Sequence, residues 1–301
     1  MSESPDITHA ISFDIEDWFH IVEIKASEDP ATWPSFESIV QKRTRQILDI
    51  LSEANVRATF FILGWVAEKY PDSVRMIAER GHEIGTHSFW HRKVYELTPD
   101  VFRKDLARSI DAIQNACGAK VYGFRAPSFS ITPGTEWAFD VIREVGLVYD
   151  ASLFPARRAH GGYPCQLGPH LLQWGEGNTL PELPMSVMDL GRFRFCFSGG
   201  GYFRLLPLRL IERGIRRELK EDRPTVIYLH PRDFATDCPV MPMPLYRRFK
   251  CYIGQKTTAS KLRKLLARHR FSTCYEVLRQ RGWLPAVNPP EDVTKIDTAN
   301  E

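Results

Sequence analysis

Two histidines, His87 and His91, stand four residues apart in Ile84-Gly-Thr-His-Ser-Phe-Trp-His-Arg92, just after a β-like run, Gly81-His-Glu-Ile-Gly-Thr86. If the chain turns helical there, positions i and i+4 fall on one face and both imidazoles can grip one cation. The bland alternative is one satisfied buried histidine and one solvated one. A second group is acidic: Phe13-Asp-Ile-Glu-Asp-Trp18 crowds Asp14, Glu16 and Asp17 into four positions. Such a cluster repels itself unless a cation or an arginine enters it or one member keeps its proton. On an extended strand Asp14 and Glu16 share a face and Asp17 points away. One carboxylate with two imidazoles makes a three-ligand, open arrangement suited to Zn²⁺ or another divalent ion of borderline preference. A second carboxylate beside it can take a proton from water. The competing role for the acidic cluster is to cap a following turn.

Two further residues can join this chemistry. Arg125 precedes Ala-Pro, a rigid turn, and an arginine there can fix a catalytic carboxylate and keep it ionised. A surface ion pair is the alternative. His230 ends the apolar run Pro224-Thr-Val-Ile-Tyr-Leu-His230, and its reference pKa near neutrality suits a general acid. Its alternative is a strand-end histidine bonded to Asp233. His82 reads as structural.

These residues need elements to position them. Apolar, β-rich runs place strands at Ala10–Asp14, Ala58–Leu63, the Gly81–Thr86 stretch, Val121–Phe124, Leu147–Asp150 and Pro224–His230. Amphipathic periodicity places helices at Ser35–Ala54, Trp65–Arg80, from Thr98 through Ile113, at Gly134–Val145, Leu205–Leu219, Ser260–Arg268 and Ser272–Arg281. Thr98 reads as an N-cap with Pro99 in the first turn. Strand and helix alternate through the first 150 residues, which predicts a mostly parallel sheet or barrel with helices outside and the chemistry just past strand ends. The stretch 156–201, rich in Gly, Pro and aromatics, reads as a loop-and-hairpin insertion with short strands near Leu171–Trp174, Leu183–Met188 and Arg192–Phe197. Residues 239–246 read as irregular and the tail after Trp283 as disordered.

At 301 residues and net charge +3 the chain can bury a full core, and its charge is too mild to argue for nucleic acid. From Met241 to Arg281 the balance is lopsided, 11 Lys or Arg against Glu276 alone. That face could meet anionic lipid, anionic glycan or nucleic acid, although a solvated basic helix face is the simpler account. The start of the chain lacks the pattern of a secretory signal, no run suits a membrane span, and six scattered cysteines suggest neither a zinc knuckle nor a disulfide framework. The expectation is a cytoplasmic protein with reduced thiols.

Taken in order over roughly residues 10–234, the motifs resemble the polysaccharide deacetylase family, also called the NodB-homology or carbohydrate esterase 4 family. Ser12-Phe-Asp14 resembles the start of the family's Thr-Phe-Asp-Asp-Gly, whose first Asp is the catalytic base and whose second is a metal ligand. Thr59-Phe-Phe61 with Gly64 resembles its Thr-Phe-Phe-x-x-Gly. Gly81 to His91 is similar to the motif whose two histidines hold the metal, Arg125-Ala-Pro-Ser128 to Arg-x-Pro-Tyr, and Leu229-His-Pro231 to the motif carrying the general acid. Two departures matter. The Asp-Asp pair is here Asp14-Ile-Glu-Asp17; by the Asp-x-Asp pattern of the peptidoglycan-deacetylase and allantoinase-like branch, Asp14 is the base and Glu16 the ligand, with Asp17 a competitor. Ser128 replaces the tyrosine whose backbone N–H helps hold the oxyanion, which puts a side-chain contact to sugar in doubt. Asp14-Ile-Glu-Asp-Trp-Phe-His20, Tyr149-Asp-Ala-Ser-Leu-Phe-Pro155 and Phe249-Lys-Cys-Tyr-Ile-Gly254 resemble a narrower group that accompanies bacterial exopolysaccharide export and protein-sorting systems and carries an added C-terminal segment.

The resemblance implies a distorted (β/α) barrel of the NodB type over residues 8–235, with the insertion at about 156–201, a basic helical extension over 236–284 and a tail over 285–301. It implies a metal-dependent deacetylase acting on an N-acetylated sugar of a bacterial exopolysaccharide or its precursor. Asp14, Arg125 and His230 are the expected catalytic residues, Glu16, His87 and His91 the expected metal ligands, and Zn²⁺ the expected ion. The expected partner is an N-acetylated glycan, with peripheral contact to anionic membrane and no nucleic acid. Hydrolysis of a small non-sugar amide and non-catalytic glycan binding are the rival readings.

Overall fold

The computed structural model describes residues 7–156, 161–191 and 193–286; the expected tail lies outside these from residue 287 on. Strand β1 (His9–Ile15) is buried along its whole length, as a strand covered on both faces must be. Residues 18–35 then form three short 3-10 turns, Trp18–His20, Lys25–Ser27 and Pro30–Ser35. Helix α1 (Val40–Glu53) packs Ile47, Leu48 and Leu51 inward and leads to β2 (Thr59–Ile62).

The single helix expected over Trp65–Arg80 is two, α2 (Gly64–Lys69) and α3 (Pro71–Glu79). Pro71 is the cause: its ring excludes helical geometry at the residue before it, and Tyr70 sits at φ −132°, ψ 57°. Strand β3 (Glu83–Thr86), helix α4 (Pro99–Cys117), strand β4 (Gly123–Phe124), helix α5 (Trp137–Glu144) and strand β5 (Tyr149–Asp150) follow. Thr98 caps α4 by accepting from the Val101 N–H, as its sequence predicts.

The 156–201 stretch forms two hairpins, β6 (His170–Trp174) with β7 (Asn178–Glu182) and β8 (Val187–Asp189) with β9 (Arg194–Cys196). The strand expected at Leu183–Met188 is thus shifted and shorter. The helix expected over Leu205–Leu219 is α7 (Leu208–Lys220), starting just after Pro207, and a short helix that was not expected, α6 (Gly200–Leu205), precedes it. Strand β10 (Val226–Leu229) precedes α8 (Leu245–Tyr252) and α9 (Gln255–Leu266). Residues 245–246 therefore begin a helix where irregular chain was expected. Phe271–Ser272 forms a further strand, β11, before α10 (Cys274–Gln280). Ser272 was expected in that helix; backbone pairing with His9–Ala10 of β1 claims it instead.

Among the described residues the main sheet runs β10-β1-β2-β3-β4-β5-β7-β6, with β11 also beside β1. Every pairing from β10 to β7 is parallel. On the far side of β10 the ladder thins to a bridge between Gly199 and Tyr228, with side chains adding to it: the Val226 N–H donates to Ser186 Oγ at 2.9 Å, and Ser198 Oγ donates to the Ser186 carbonyl at 3.2 Å. The result is an α/β fold, a distorted barrel with helices outside. Among the described residues no helix is long and apolar enough to cross a membrane.

Candidate active site

The charged residues singled out from sequence gather where parallel strands end. Asp14 and Glu16 stand at the end of β1, His87 just past β3, Arg125 just past β4 and His230 just past β10. Glu16 Oε2 lies 2.5 Å from His91 Nε2. Asp14 Oδ2 lies 4.0 Å from His87 Nε2 and 3.9 Å from His230 Nε2. Arg125, fully buried, donates from Nη1 to Asp14 Oδ1 and to Ser12 Oγ, each at 2.8 Å, and from Nε to the Ala151 carbonyl at 3.2 Å. Its guanidinium lies 4.2 Å from the centroid of the Phe61 ring. Gly85 makes room for that ring, since a Cβ there would meet Phe61 at 2.6 Å.

The helical i, i+4 geometry is not how His87 and His91 meet. They lie on a loop with left-handed backbone at Ser88 (φ 67°) and His91 (φ 55°), which folds the rings to 5.2 Å between centroids. Helix α4 holds that loop: Asp105 accepts from the N–H groups of Phe89 (2.7 Å) and Trp90 (3.2 Å), and Ser109 Oγ donates to the Ser88 carbonyl (2.9 Å). A loop with its amides and carbonyl bonded this way can keep strained backbone that would otherwise relax.

The two acidic candidates for the third ligand separate cleanly. Asp17 turns away, accepting from Trp18 N (2.9 Å), Ile39 N (3.2 Å) and the Ser38 hydroxyl; it is the turn cap. Glu16 faces the histidines, and one ligand atom from each of Glu16, His87 and His91 lies within 4.8 Å of the others.

Three more residues stand in or beside the cluster: Arg232 and His20, for which the sequence suggested no role, and Asp233, the hydrogen-bond partner expected for a strand-end His230. Arg232 places Nη1 3.1 Å from Glu16 Oε1. Asp233 accepts from His230, with Nδ1 at 3.0 Å and the backbone N–H at 2.8 Å, while Arg204 Nε lies 2.7 Å from its other oxygen. His20, buried among Phe19, Trp33 and Trp65, accepts from the Asp17 N–H at Nδ1 (2.9 Å), and its ring stands 6.2 Å from that of His91. Arg232 and Asp233 follow His230 directly, so the run His-Pro-Arg-Asp held a signal: charges on a turn after a buried strand must face inward or out, and here they face inward.

Burial sets the protonation states. It lowers the His87 imidazole to about 4, against the raising pull of Asp14. For Glu16 burial pushes the carboxyl up, but His91 and Arg232 together outweigh it and hold the group well below its ordinary value. Asp233 is treated the same way, burial opposing and Arg204 with His230 prevailing. Burial pushes Arg125 down, but Asp14 and the further groups around it together prevail and raise it, so it stays charged. The donor set fits a divalent ion. His87 Nδ1 lies 2.8 Å from the Arg125 carbonyl, which fixes the tautomer that leaves Nε2 free to ligate. Glu16 Oε2 points between the two imidazoles, 2.5 Å from His91 Nε2, where a cation would replace that close contact with ligation by both residues.

A second layer supports the turn after β4. Ser152 Oγ accepts from the Ala126 N–H at 2.8 Å and donates to Asp150 at 2.5 Å. Asp150 adjoins Glu182, whose carboxyl is raised well above its usual range by burial and then by Asp150, the direction that favours a proton held between the two. Ser128, next on that turn, has φ 56°.

The architecture is an α/β barrel whose parallel strands deliver to one rim a carboxylate-and-histidine cluster that could hold a metal ion. Residues 25–149 match the family model described as polysaccharide deacetylase, and residues 151–279 match a domain of unknown function (DUF3473). The chain therefore carries a polysaccharide deacetylase domain of the NodB-homology, carbohydrate esterase 4 type, continued by that second domain. The first match contains His87, His91 and Arg125, the second His230 and Arg232, and Asp14 and Glu16 precede both. A peptidoglycan-N-acetylglucosamine deacetylase of Bacillus cereus is 37% identical over 84 residues, covering 28% of this chain and 30% of that protein. A chitooligosaccharide deacetylase of Rhizobium leguminosarum bv. trifolii is 36% identical over 74 residues, covering 25% and 34%. The chain thus spans about a third of the length of these curated relatives. A Mycobacterium smegmatis crystal structure provisionally described as a polysaccharide deacetylase superposes with TM-score 0.63 at 21% identity, covering 97% of this chain and 96% of that one. A peptidoglycan N-acetylglucosamine deacetylase structure gives TM-score 0.51 at 18% identity, covering 92% and 90%. At these identities the structural likeness speaks to the fold.

Proposed function

We propose that this protein is a metal-dependent hydrolase that removes the acetyl group from an N-acetylated sugar in a bacterial exopolysaccharide or its precursor. The observation that carries the reading is the convergence of Glu16, His87 and His91 within 4.8 Å of one another, with Asp14 and His230 beside them. Those three residues would hold a divalent ion, Zn²⁺ by donor type, which supplies Lewis acidity toward the acetamide carbonyl and toward water. Asp14 takes the proton of the attacking water through Oδ2, its Oδ1 fixed by Arg125. The Ser128 backbone N–H, on the turn after Arg125, donates to the developing oxyanion. His230, its Nδ1 bonded to Asp233, presents Nε2 to the leaving amine and supplies its proton. A cleft of about 360 Å³ beside His91, walled by Trp33 and Trp90 and rimmed by Glu23 and Lys93, supports a glycan over a small amide.

Residues 8–235 act in this reading as the deacetylase unit and 236–284 as an extension packed on it, supported by the pairing of both β10 and β11 with β1. The scattered cysteines, spaced for neither a zinc knuckle nor a disulfide framework, support a cytoplasmic setting, and contact with anionic membrane is peripheral. The test is Asp14→Asn, which keeps the acceptor for Arg125 but removes the base. Acetate release from N-acetylated oligosaccharides should fall by roughly 10²–10⁴-fold, with metal content unchanged. Full turnover in that variant would sink the assignment.

A further inference from the structure

Helix α8 is the outlier on this surface: none of its eight residues is buried. Leu245 is 81% exposed, Tyr246 64% and Phe249 55%. A loosely attached helix would account for this trivially, yet α8 is firmly held. Arg247 donates from Nη2 to the Val22 carbonyl at 2.7 Å and from Nη1 to the Glu23 carbonyl at 3.2 Å. Tyr252 OH accepts from the Met241 N–H at 3.0 Å. Arg204 donates from Nη2 to the Lys250 carbonyl at 3.0 Å and from Nη1 to the Ile253 carbonyl at 2.8 Å. The helix is pinned through its backbone and polar side chains so that its apolar ones face out.

The apolar surface continues beyond α8. A Cβ on Gly201 would lie 3.6 Å from the Lys250 carbonyl, so α6 runs alongside. The neighbouring Tyr202 stacks edge-on against Phe195 at 5.6 Å. Past Phe195, Phe193 and Leu190 flank the turn of the β8–β9 hairpin, both strongly exposed. Charge follows the same edge. Helix α8 carries Arg247, Arg248 and Lys250 with no acidic residue, and Lys256 follows; Arg248, Lys250 and Lys256 are exposed. Contiguous apolar groups on a soluble chain mark an interaction surface. Leu, Tyr and Phe bordered by exposed cations match the boundary between acyl chains and anionic headgroups.

The position of this edge matters. Arg204, from which α8 hangs, is the residue paired with Asp233 behind His230, and a Cβ on Gly200 would lie 3.3 Å from the His230 ring. At the other side, Val22 and Glu23, gripped by Arg247, also line the cleft beside His91. The apolar, basic edge is therefore a rim of the candidate active site. We propose that α8 and the β8–β9 turn dock on an anionic lipid bilayer and set the cleft mouth at the headgroup level, where a glycan carried on a lipid would meet it. The docking face stands on its own observations; the delivery of a glycan rests on the deacetylase reading.

The test uses the full chain with vesicles of phosphatidylcholine alone or containing roughly a third phosphatidylglycerol, read by co-sedimentation. Binding to the anionic vesicles is expected, absent on phosphatidylcholine alone and weakened about tenfold or more by high salt. A Leu245→Ser, Tyr246→Ser, Phe249→Ser variant should lose that binding while keeping its circular dichroism, its melting temperature and its acetate release from a soluble N-acetylated oligosaccharide. Because α8 buries nothing, the variant should fold. Wild-type binding by the variant, or no binding of the wild type, overturns the proposal. So does a variant whose only change is loss of self-association, which would assign the face to a second copy of the chain. Vesicle binding without acetate release from any glycan would leave the docking face standing and sink the deacetylase reading instead.

Discussion

Two buried polar clusters occupy opposite ends of the parallel strands, and they are built on opposite plans. At the N-terminal ends, Glu83 accepts from Tyr149 OH (2.5 Å), Thr59 Oγ1 (2.5 Å) and the Tyr275 N–H (3.0 Å), tying β2, β3, β5 and α10 into one knot. At the C-terminal ends, His20 Nε2, Arg125 Nη2 and Arg232 Nε are buried without hydrogen-bond partners among the described residues, and Glu16 Oε2 meets only the proposed ligand His91. Burial raises the Glu83 carboxyl, whereas surrounding cations hold Glu16 well down. A polar group placed for stability has its valences filled by the protein. A group placed for chemistry keeps one open, at a cost to the fold that persists because the function requires it.

The contrast breaks most sharply in a matched pair of substitutions. His91→Asn suits the left-handed backbone at that position but removes a proposed ligand. Metal affinity and acetate release should each fall at least about 100-fold, with the melting temperature of metal-free protein unchanged. Glu83→Ala should do the reverse, lowering stability by about 2–4 kcal/mol as it strands three donors, with kcat of the folded protein within about twofold of wild type. Denaturant unfolding and metal titration on both variants decide it. A His91→Asn protein that binds metal normally, or a Glu83→Ala protein as stable as wild type, would erase the distinction.

A gentler change sharpens the boundary between the two plans. Asp105 is fully engaged by the Phe89 and Trp90 amides, like Glu83, but what it holds is the histidine loop. Asp105→Asn offers one carbonyl oxygen where two amides need acceptors. Metal affinity should drop about 10-fold with a stability loss near 1 kcal/mol, read by competition with a chelator and by thermal melts. Unchanged affinity would confine Asp105 to a structural part.

What was legible in the chain follows the same division. Elements whose residues are driven by local pattern were readable: β1, β2 and β10 as apolar runs, α4 from Thr98 and its cap. The candidate site residues were readable because chemistry restricts their types and spacing; alternation along β1 put Asp14 with Glu16, while Asp17 stayed a competitor that only its hydrogen bonds to Trp18, Ser38 and Ile39 turn into a cap. The histidine pair was found for an incomplete reason. Its spacing suggested a helix, while long-range bonds from Asp105 and Ser109 hold a strained loop that no local propensity announces. β11 was missed because two residues carry no periodicity and gain strand geometry only from β1. α8 was missed because a helix that buries none of its residues shows no stripe facing a core. Arg232 was invisible as a partner of Glu16 because 216 positions of chain separate them and only the β1–β10 pairing brings them together.

The smallest effect tests a cluster lying between the two plans. Asp150 and Glu182 sit behind Arg125, and Glu182 accepts from the Leu153 N–H at 3.0 Å. Burial, then the neighbouring Asp150, raises the Glu182 carboxyl well above its usual 4.5. A carboxyl that ionises more easily unfolded than folded favours the native state fully below its unfolded pKa. It loses that contribution as pH climbs from there through the folded value. Wild-type stability should therefore carry a downward slope above about pH 4.5 that Glu182→Gln lacks, because the amide replaces the shared proton with a permanent donor toward Asp150. At pH 8 the variant should be more stable by about 1.4 kcal/mol for each unit of the raised pKa already passed. That corresponds to a melting temperature higher by about 2 °C or more, with no difference at pH 4. Parallel pH profiles for the two proteins would show that the pair carries no proton in the folded state, and would move it to the side of the fully ionised cluster around Glu16.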